Sequence, residues 1–309
     1  MIDGFHTRLE EPFPDEVLNR FEGLYRNDGS PVLRVQESGK TFSRLLHSEK
    51  EGLRAKRKAV YRINTEKSSK PLRSYDEIHG SLHKFANAGV HNCDRFQLDR
   101  LSTSIDEVSK LTGVNASKHR LTSLEVGFNI RLGSNIEKEI IPLFKSWEYG
   151  KRSSPHINPN KGEGTVITFE RDEVEMKVYA KGAIHHKELG TARNLLRIEL
   201  RFNTSRSLKE FDILYLSDLR DISKLQKLQE RFLVMFEHLV IYSPSKEPLT
   251  PKKAERRSQF DNRQFYHEFQ GKSNRRREVM SQIDRYNTAK SIKDKIRDLL
   301  RLECEVFFS

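Results

Sequence analysis

The sequence predicts an α+β protein: an antiparallel sheet with helices on one face, followed by a basic helical C-terminal segment. Three observations carry this. Segments 121–132, 174–181 and 195–202 share one design, in which apolar residues alternate with polar ones at the two-residue period of a half-buried strand. Segments 94–112 and 217–240 instead repeat apolar residues every three or four positions, as amphipathic helices do. A stretch with three prolines, "SPSKEPLTPKK" at 243–253, then introduces a tail in which residues 251–309 carry 15 Lys and Arg against 9 Asp and Glu.

Taken in order, "PVLRVQE" (31–37) and "RKAVYRIN" (57–64) are short and β-branched with turn-prone neighbours, and read as strands. In "GSLHKFANAGVHN" (80–92), His83 next to Leu82 reads as a strand residue with a structural or DNA-contacting role. Over 94–112, Leu98, Leu101, Ile105, Val108 and Leu111 line one helical face, with Gly113 as C-cap. In "LTSLEVGFNIRL", Leu124, Val126, Phe128 and Ile130 oppose Ser123, Glu125, Gly127 and Asn129. "GKRSSPHINPNKGEG" (150–164) reads as a loop. "TVITF" then turns through "ERDE" into "VEMKVYAK" (174–181), a hairpin whose second strand sets Val174, Met176, Val178 and Ala180 against Glu175, Lys177, Tyr179 and Lys181. "LLRIELRF" (195–202) opposes Leu196, Ile198, Leu200 and Phe202 to Leu195, Arg197, Glu199 and Arg201. From Ser217, a candidate N-cap, Leu219, Ile222, Leu225, Leu228, Phe232 and Phe236 predict a long helix. The predicted division is a mixed sheet-and-helix domain over 1–245 and a basic helical subdomain over 246–309.

Composition limits the function. The 309 residues include 56 Lys and Arg against 44 Asp and Glu, a formal charge of +12 and a pI near 9.6, which suggests a polyanionic partner such as nucleic acid. Cys93 and Cys304 lack metal-type spacing. No run of 18 apolar residues and no basic-then-apolar leader is present, so a cytoplasmic protein with no membrane segment is expected.

Several motifs fail on spacing. "GKT" (39–41) and "GKS" (271–273) lack the phosphate loop's earlier glycine, having Arg34 and Tyr266 there. No pair of histidines is separated by one apolar residue: His185 and His186 are adjacent, and His156 sits with Asn158 in a loop. What survives is a polar sheet face. Glu125 and Asn129 lie on one strand, Glu175, Tyr179 and Lys181 on a second, and Glu199 with Arg197 and Arg201 on a third. Carboxylates of this kind suit Mg²⁺ or Mn²⁺, and a phenol needs a metal-polarised phosphate or a nearby cation to attack phosphorus. A solvated face with a tyrosine packed across strands has the same pattern, so both readings stand at this point.

These stretches also resemble the rolling-circle replication initiators of plasmids and filamentous phages, in the gene II/X and related Rep groups. "VYAKGA" resembles the strand of the nicking motif, "LLRIELRF" the following strand, and "LTSLEVGFNI" the earlier strand bearing acidic ligands. "GSLHKFANAGVHN" and "MIDGF" are similar to further stretches upstream, and the match spans about 1–240. The resemblance implies that Tyr179 attacks a backbone phosphate at an origin, giving a 5′-phosphotyrosine and a free 3′-OH. Glu125, Glu199 and Asn129 would form the metal shell, although some relatives carry a second acid where this chain has Asn129. Lys181 would steady the phosphate or phenolate, and Arg197 and Arg201 would position DNA. Apart from the resemblance, charge and placement make His83, Lys84, Arg275, Arg276 and Arg277 candidate DNA contacts. Glu188 and His186 are weaker candidates for an acid that follows the tyrosine in some members. Origin DNA, a host helicase and polymerase, and a homodimer are the implied partners. A non-enzymatic DNA-binding replication or copy-control factor, or a relaxase or transposase with the same tyrosine chemistry, are the alternatives.

Overall fold

The computed structural model describes residues 1–12, 14, 22–23, 33–38, 41–50, 52–62, 73–148, 155–159, 165–184, 194–245, 250–267 and 273–309. The candidates Glu188 and His186 lie outside them. Packing groups the chain into two compact units: Ile2–Glu125 with Phe202–Lys227 and Phe308–Ser309, and Met1 with Val126–Arg201 and Leu228–Phe307.

In the first unit, strands β1 (Ile2–Leu9), β2 (Glu22–Gly23), β3 (Leu33–Ser38), β4 (Thr41–Lys50), β5 (Leu53–Arg62) and β6 (Arg73–Ser81) run in the order β2-β4-β5-β6-β1, with β3 also on β4. The pairs β3–β4, β4–β5, β5–β6 and β6–β1 are antiparallel. Next to β1 comes β7 (His119–Arg131), whose first half belongs to this unit. Helix α1 (Leu82–Ala86) follows β6 directly, so His83 is helical rather than extended. The Ser81 hydroxyl accepts from the Lys84 amide at 3.0 Å and caps this turn, which overrides the alternation seen in the sequence. Helix α2 (Leu98–Thr112) buries Leu101, Ile105, Val108 and Thr112 at helical spacing and stops at Gly113, whose φ of 69° is the left-handed cap.

In the second unit, the latter half of β7 continues into the order β7-β12-β11-β10-β9, where β9 is Pro155–Pro159, β10 Thr165–Glu170, β11 Val174–Ala180 and β12 Leu195–Phe202. The expected hairpin is β10–β11, with Val166 opposite Tyr179. The 150–164 segment read as loop contains β9, which pairs antiparallel with β10 and places His156 on a strand; short, proline-bounded strands leave little period to detect. The second long helix, α3 (Ile222–Glu237), begins in the first unit and starts later than Ser217: residues Leu216–Arg220 form a 3₁₀ turn. The Asp221 carboxylate then accepts from the Ser223 and Lys224 amides at 2.9 and 3.3 Å, making Asp221 the cap. Past α3, Leu239–Ile241 is strand β13, paired with β8 (Phe144–Trp147), so the periodicity that reached Val240 overran the helix. Phe232 of α3 meets Phe128 of β7 edge to face at 4.9 Å, fixing the apolar side of this sheet.

The basic tail is helical as expected: α4 (Pro251–Gln259), α5 (Arg263–His267), α6 (Ser273–Tyr286) and α7 (Lys290–Phe308). It shares the core of the second unit. Phe260, Tyr266 and Ile283 pack with Val240 and Tyr242, and α7 buries Ile296, Leu300, Cys304 and Phe307 at three- and four-residue steps. Among the described residues, no helix is long and apolar enough to cross a membrane.

Candidate active site

The polar sheet face read from the alternation is closed to water at its centre. On β12, Arg197 is 2% and Glu199 5% exposed. Charges this deep persist only when paired. Here the pairing is specific: the Tyr179 hydroxyl donates to Glu199 Oε1 at 2.7 Å, and Arg197 Nε donates to the same oxygen at 2.8 Å. Arg197 also donates through a terminal nitrogen to Asn129 Oδ1 at 3.0 Å. The chain Asn129–Arg197–Glu199–Tyr179 therefore crosses from β7 through β12 to β11 as a continuous network.

Glycine makes room for it. A Cβ on Gly127 would lie 2.8 Å from both an Arg197 terminal nitrogen and Glu199 Cγ, well inside van der Waals contact. Gly127 thus lets these two side chains lie flat across β7. Lys181 falls one residue past the end of β11 rather than on it. It is 3% exposed, and its ammonium sits 5.6 Å from the centre of the Tyr179 ring. The ammonium thus faces the electron-rich ring of the phenol.

In the first unit, Asp3 of β1 is a carboxylate that sequence reasoning missed. It is 2% exposed, Ser81 donates to its Oδ1, and Asn92 donates to its Oδ2 at 2.6 Å. The two donors stand at the ends of "GSLHKFANAGVHN", so this stretch orients Asp3. Its signal in the sequence was an acid beside a glycine in "MIDGF": a Cβ on Gly4 would come within 3.2 Å of Glu125 Cβ. Carboxylate oxygens of Asp3 and Glu125 lie within 4.8 Å of each other. Two carboxylates this close, one buried and one half-buried, form a hard-oxygen donor set that fits Mg²⁺ or Mn²⁺.

Asn129 spends its oxygen on Arg197. Arg197 is buried inside the network, away from the open surface a DNA contact needs, whereas Arg201 at the end of β12 is exposed. His83 is 3% exposed, stacks on Phe96 with ring centres 4.7 Å apart, and pairs with Asp94 at 2.6 Å, while Lys84 beside it is partly exposed. Burial alone would raise the Asp94 pKa, but hydrogen bonds from Arg100, His83 and Asn87 outweigh it and bring the carboxyl down to about 2. Arg275, Arg276 and Arg277 lie on α6, Arg277 exposed.

The fold is that of an α+β protein with a buried polar sheet face. No family model matches the chain, and no curated protein matches it. Among solved structures it is similar to a rolling circle replication initiator protein from Geobacillus stearothermophilus, with 11% identity, a TM-score of 0.37, and 82% of this chain and 89% of that one covered. An overlap this loose places no side chain, so the chemistry below follows from this chain's own geometry.

Proposed function

We propose that the protein is a DNA strand-nicking and joining enzyme that initiates rolling-circle replication with Tyr179 as nucleophile. The observation that carries this is the 2.7 Å hydrogen bond from the phenol to Glu199 Oε1, on a sheet face that excludes water from the carboxylate. A packing tyrosine needs no buried carboxylate as its acceptor; a nucleophile needs a base within this distance.

In the proposed reaction, Glu199 accepts the phenolic proton as the phenol oxygen attacks a backbone phosphorus. The P–O3′ bond breaks, the 3′ oxygen leaves as a hydroxyl after taking up a proton, and the 5′ phosphate stays on Tyr179. One phosphodiester is exchanged for another, so rejoining is the same step reversed. Lys181 stabilises charge on the phenolate oxygen. Glu199 would hold Mg²⁺ or Mn²⁺ through its second carboxylate oxygen, and the Asp3 and Glu125 carboxylates, which approach each other within 4.8 Å, are a further donor set for such an ion. Such an ion supplies Lewis-acid polarisation of the scissile phosphate. Asn129, engaged with Arg197, supports this shell without joining it.

The partner in this reading is origin DNA in a cytoplasmic setting, with a host helicase and polymerase downstream and a homodimer as the assembly. Arg201, Lys84, Arg275, Arg276 and Arg277 supply phosphate contacts, and His83 supports the Asp94 network from inside. Incubation with supercoiled DNA carrying the protein's own coding sequence and flanks, with Mg²⁺ or Mn²⁺, tests the proposal. It requires relaxed circles with protein covalently attached. Binding without any strand break would instead favour a non-catalytic replication or copy-control factor.

A further inference from the structure

Among the described residues, Glu199 accepts from Tyr179 at 2.7 Å and from Arg197 Nε at 2.8 Å, both on Oε1. A carboxylate has about four acceptor sites on two oxygens, and a free one rotates among them. Here rotation is blocked. The Arg197 guanidinium is itself fixed by Asn129 at 3.0 Å, is 2% exposed, and lies with Glu199 Cγ against the bare backbone of Gly127. Guanidinium geometry is planar and forked, so a donor held at one end by an amide oxygen has a single direction left for Nε.

We infer that Arg197 is a positioning residue, which acts through Glu199 and not by touching DNA. It holds Glu199 so that Oε1 serves the Tyr179 hydroxyl and Oε2 is presented to the divalent cation. One carboxylate is thereby divided between nucleophile and metal, with Asn129 as the outermost brace. This rests on the proposed nicking activity for its catalytic arm and on cation binding for its other arm. The arginine that the sequence offered as a phosphate contact has a different task.

The test uses full-length Arg197→Met, Arg197→Lys and Asn129→Ala, with unfolding midpoints measured for each. Mn²⁺ affinity is read by electron paramagnetic resonance of the protein alone. DNA affinity is read by fluorescence anisotropy on a single-stranded oligonucleotide that wild type cleaves, selected from a random pool, or on the unselected pool if none is cleaved. Single-turnover adduct formation supplies the rate. Positioning through Glu199 lowers Mn²⁺ affinity by about 10- to 100-fold in Arg197→Met, the loss usual for a group that orients a metal ligand. The cleavage rate falls with it, DNA affinity stays within about twofold, and Arg197→Lys recovers little because it lacks the fork. Asn129→Ala, which leaves Arg197 in place, shows a smaller loss in the same direction.

A DNA-contacting arginine gives the opposite split, with weakened DNA binding, an unchanged rate at saturating DNA and unchanged Mn²⁺ affinity, and that result overturns the inference. If wild type cleaves nothing, the nicking proposal fails on its own, and the Mn²⁺ arm still decides. Unchanged Mn²⁺ affinity in folded Arg197→Met or Asn129→Ala, or no Mn²⁺ binding by wild type, overturns it as well.

Discussion

Replacing Gly127 by alanine probes the site without removing any functional group. The new Cβ would stand 2.8 Å from an Arg197 terminal nitrogen and from Glu199 Cγ, and 3.0 Å from Arg197 Cζ. Unstrained heavy-atom contacts lie near 3.5–4.0 Å, so both side chains must retreat by roughly 0.7 Å. They are buried, which leaves little space for retreat. Overpacking of this kind costs about 1–3 kcal/mol, offset by about 0.5–1 kcal/mol because alanine loses less chain freedom than glycine in a strand. The net expectation is a destabilisation of about 0.5–2 kcal/mol, with Glu199 pushed out of reach of the phenol. Gly133 is the control: a Cβ there meets nothing within 4 Å, so Gly133→Ala is neutral or slightly stabilising. Urea unfolding followed by circular dichroism measures both. Equal stability of the two variants would show that Arg197 and Glu199 do not lie across β7 as described.

Other expectations follow from the same structure. His119 is buried, its Nδ1 has no hydrogen-bond partner among the described residues, and burial lowers its pKa from 6.5 to about 4. A depressed pKa contributes stability that is present above the unfolded value and lost as pH falls, so about 3 kcal/mol disappears between pH 6.5 and about 4. Unfolding midpoints across that window should fall in wild type and flatten in His119→Gln. Phe232→Ala removes the aromatic that meets Phe128 and should cost about 3–5 kcal/mol in equilibrium unfolding. Glu199→Gln keeps an acceptor for Arg197 but loses the base, so adduct formation should drop by about 10²–10⁴ in single-turnover assays while DNA affinity holds. If Arg201, Lys84 and the arginines of α6 meet phosphates, DNA affinity should fall linearly on a log–log plot against salt, and each charge removed should shallow the slope by about 1.

The sheet and its polar face were legible because two-residue alternation survives without context. Glu125, Asn129, Tyr179, Arg197 and Glu199 all came from it, with "VYAKGA" and "LLRIELRF" supplying their order. Alternation cannot say whether the polar side is wet or dry. That depends on what lies across it, which is why Arg197 reads as a surface contact in the sequence although the fold buries it. Asp3 was hidden for a related reason, since its donors Ser81 and Asn92 are remote in sequence and only the folded β1–β6 pairing brings Ser81 beside it. At His83, a serine cap decided for helix where the apolar pattern alone favoured strand. Asp221 likewise outcompeted Ser217 as a cap, a choice between equally suitable residues that local pattern does not make.

The central claim is that Tyr179 is the nucleophile. Digestion of the covalent protein–DNA product to a peptide carrying a nucleotide, followed by mass spectrometry, tests it most directly. The account predicts a 5′-phosphate ester on Tyr179 in wild type and no adduct in Tyr179→Phe. An adduct on another residue, or undiminished cleavage by Tyr179→Phe, would contradict it.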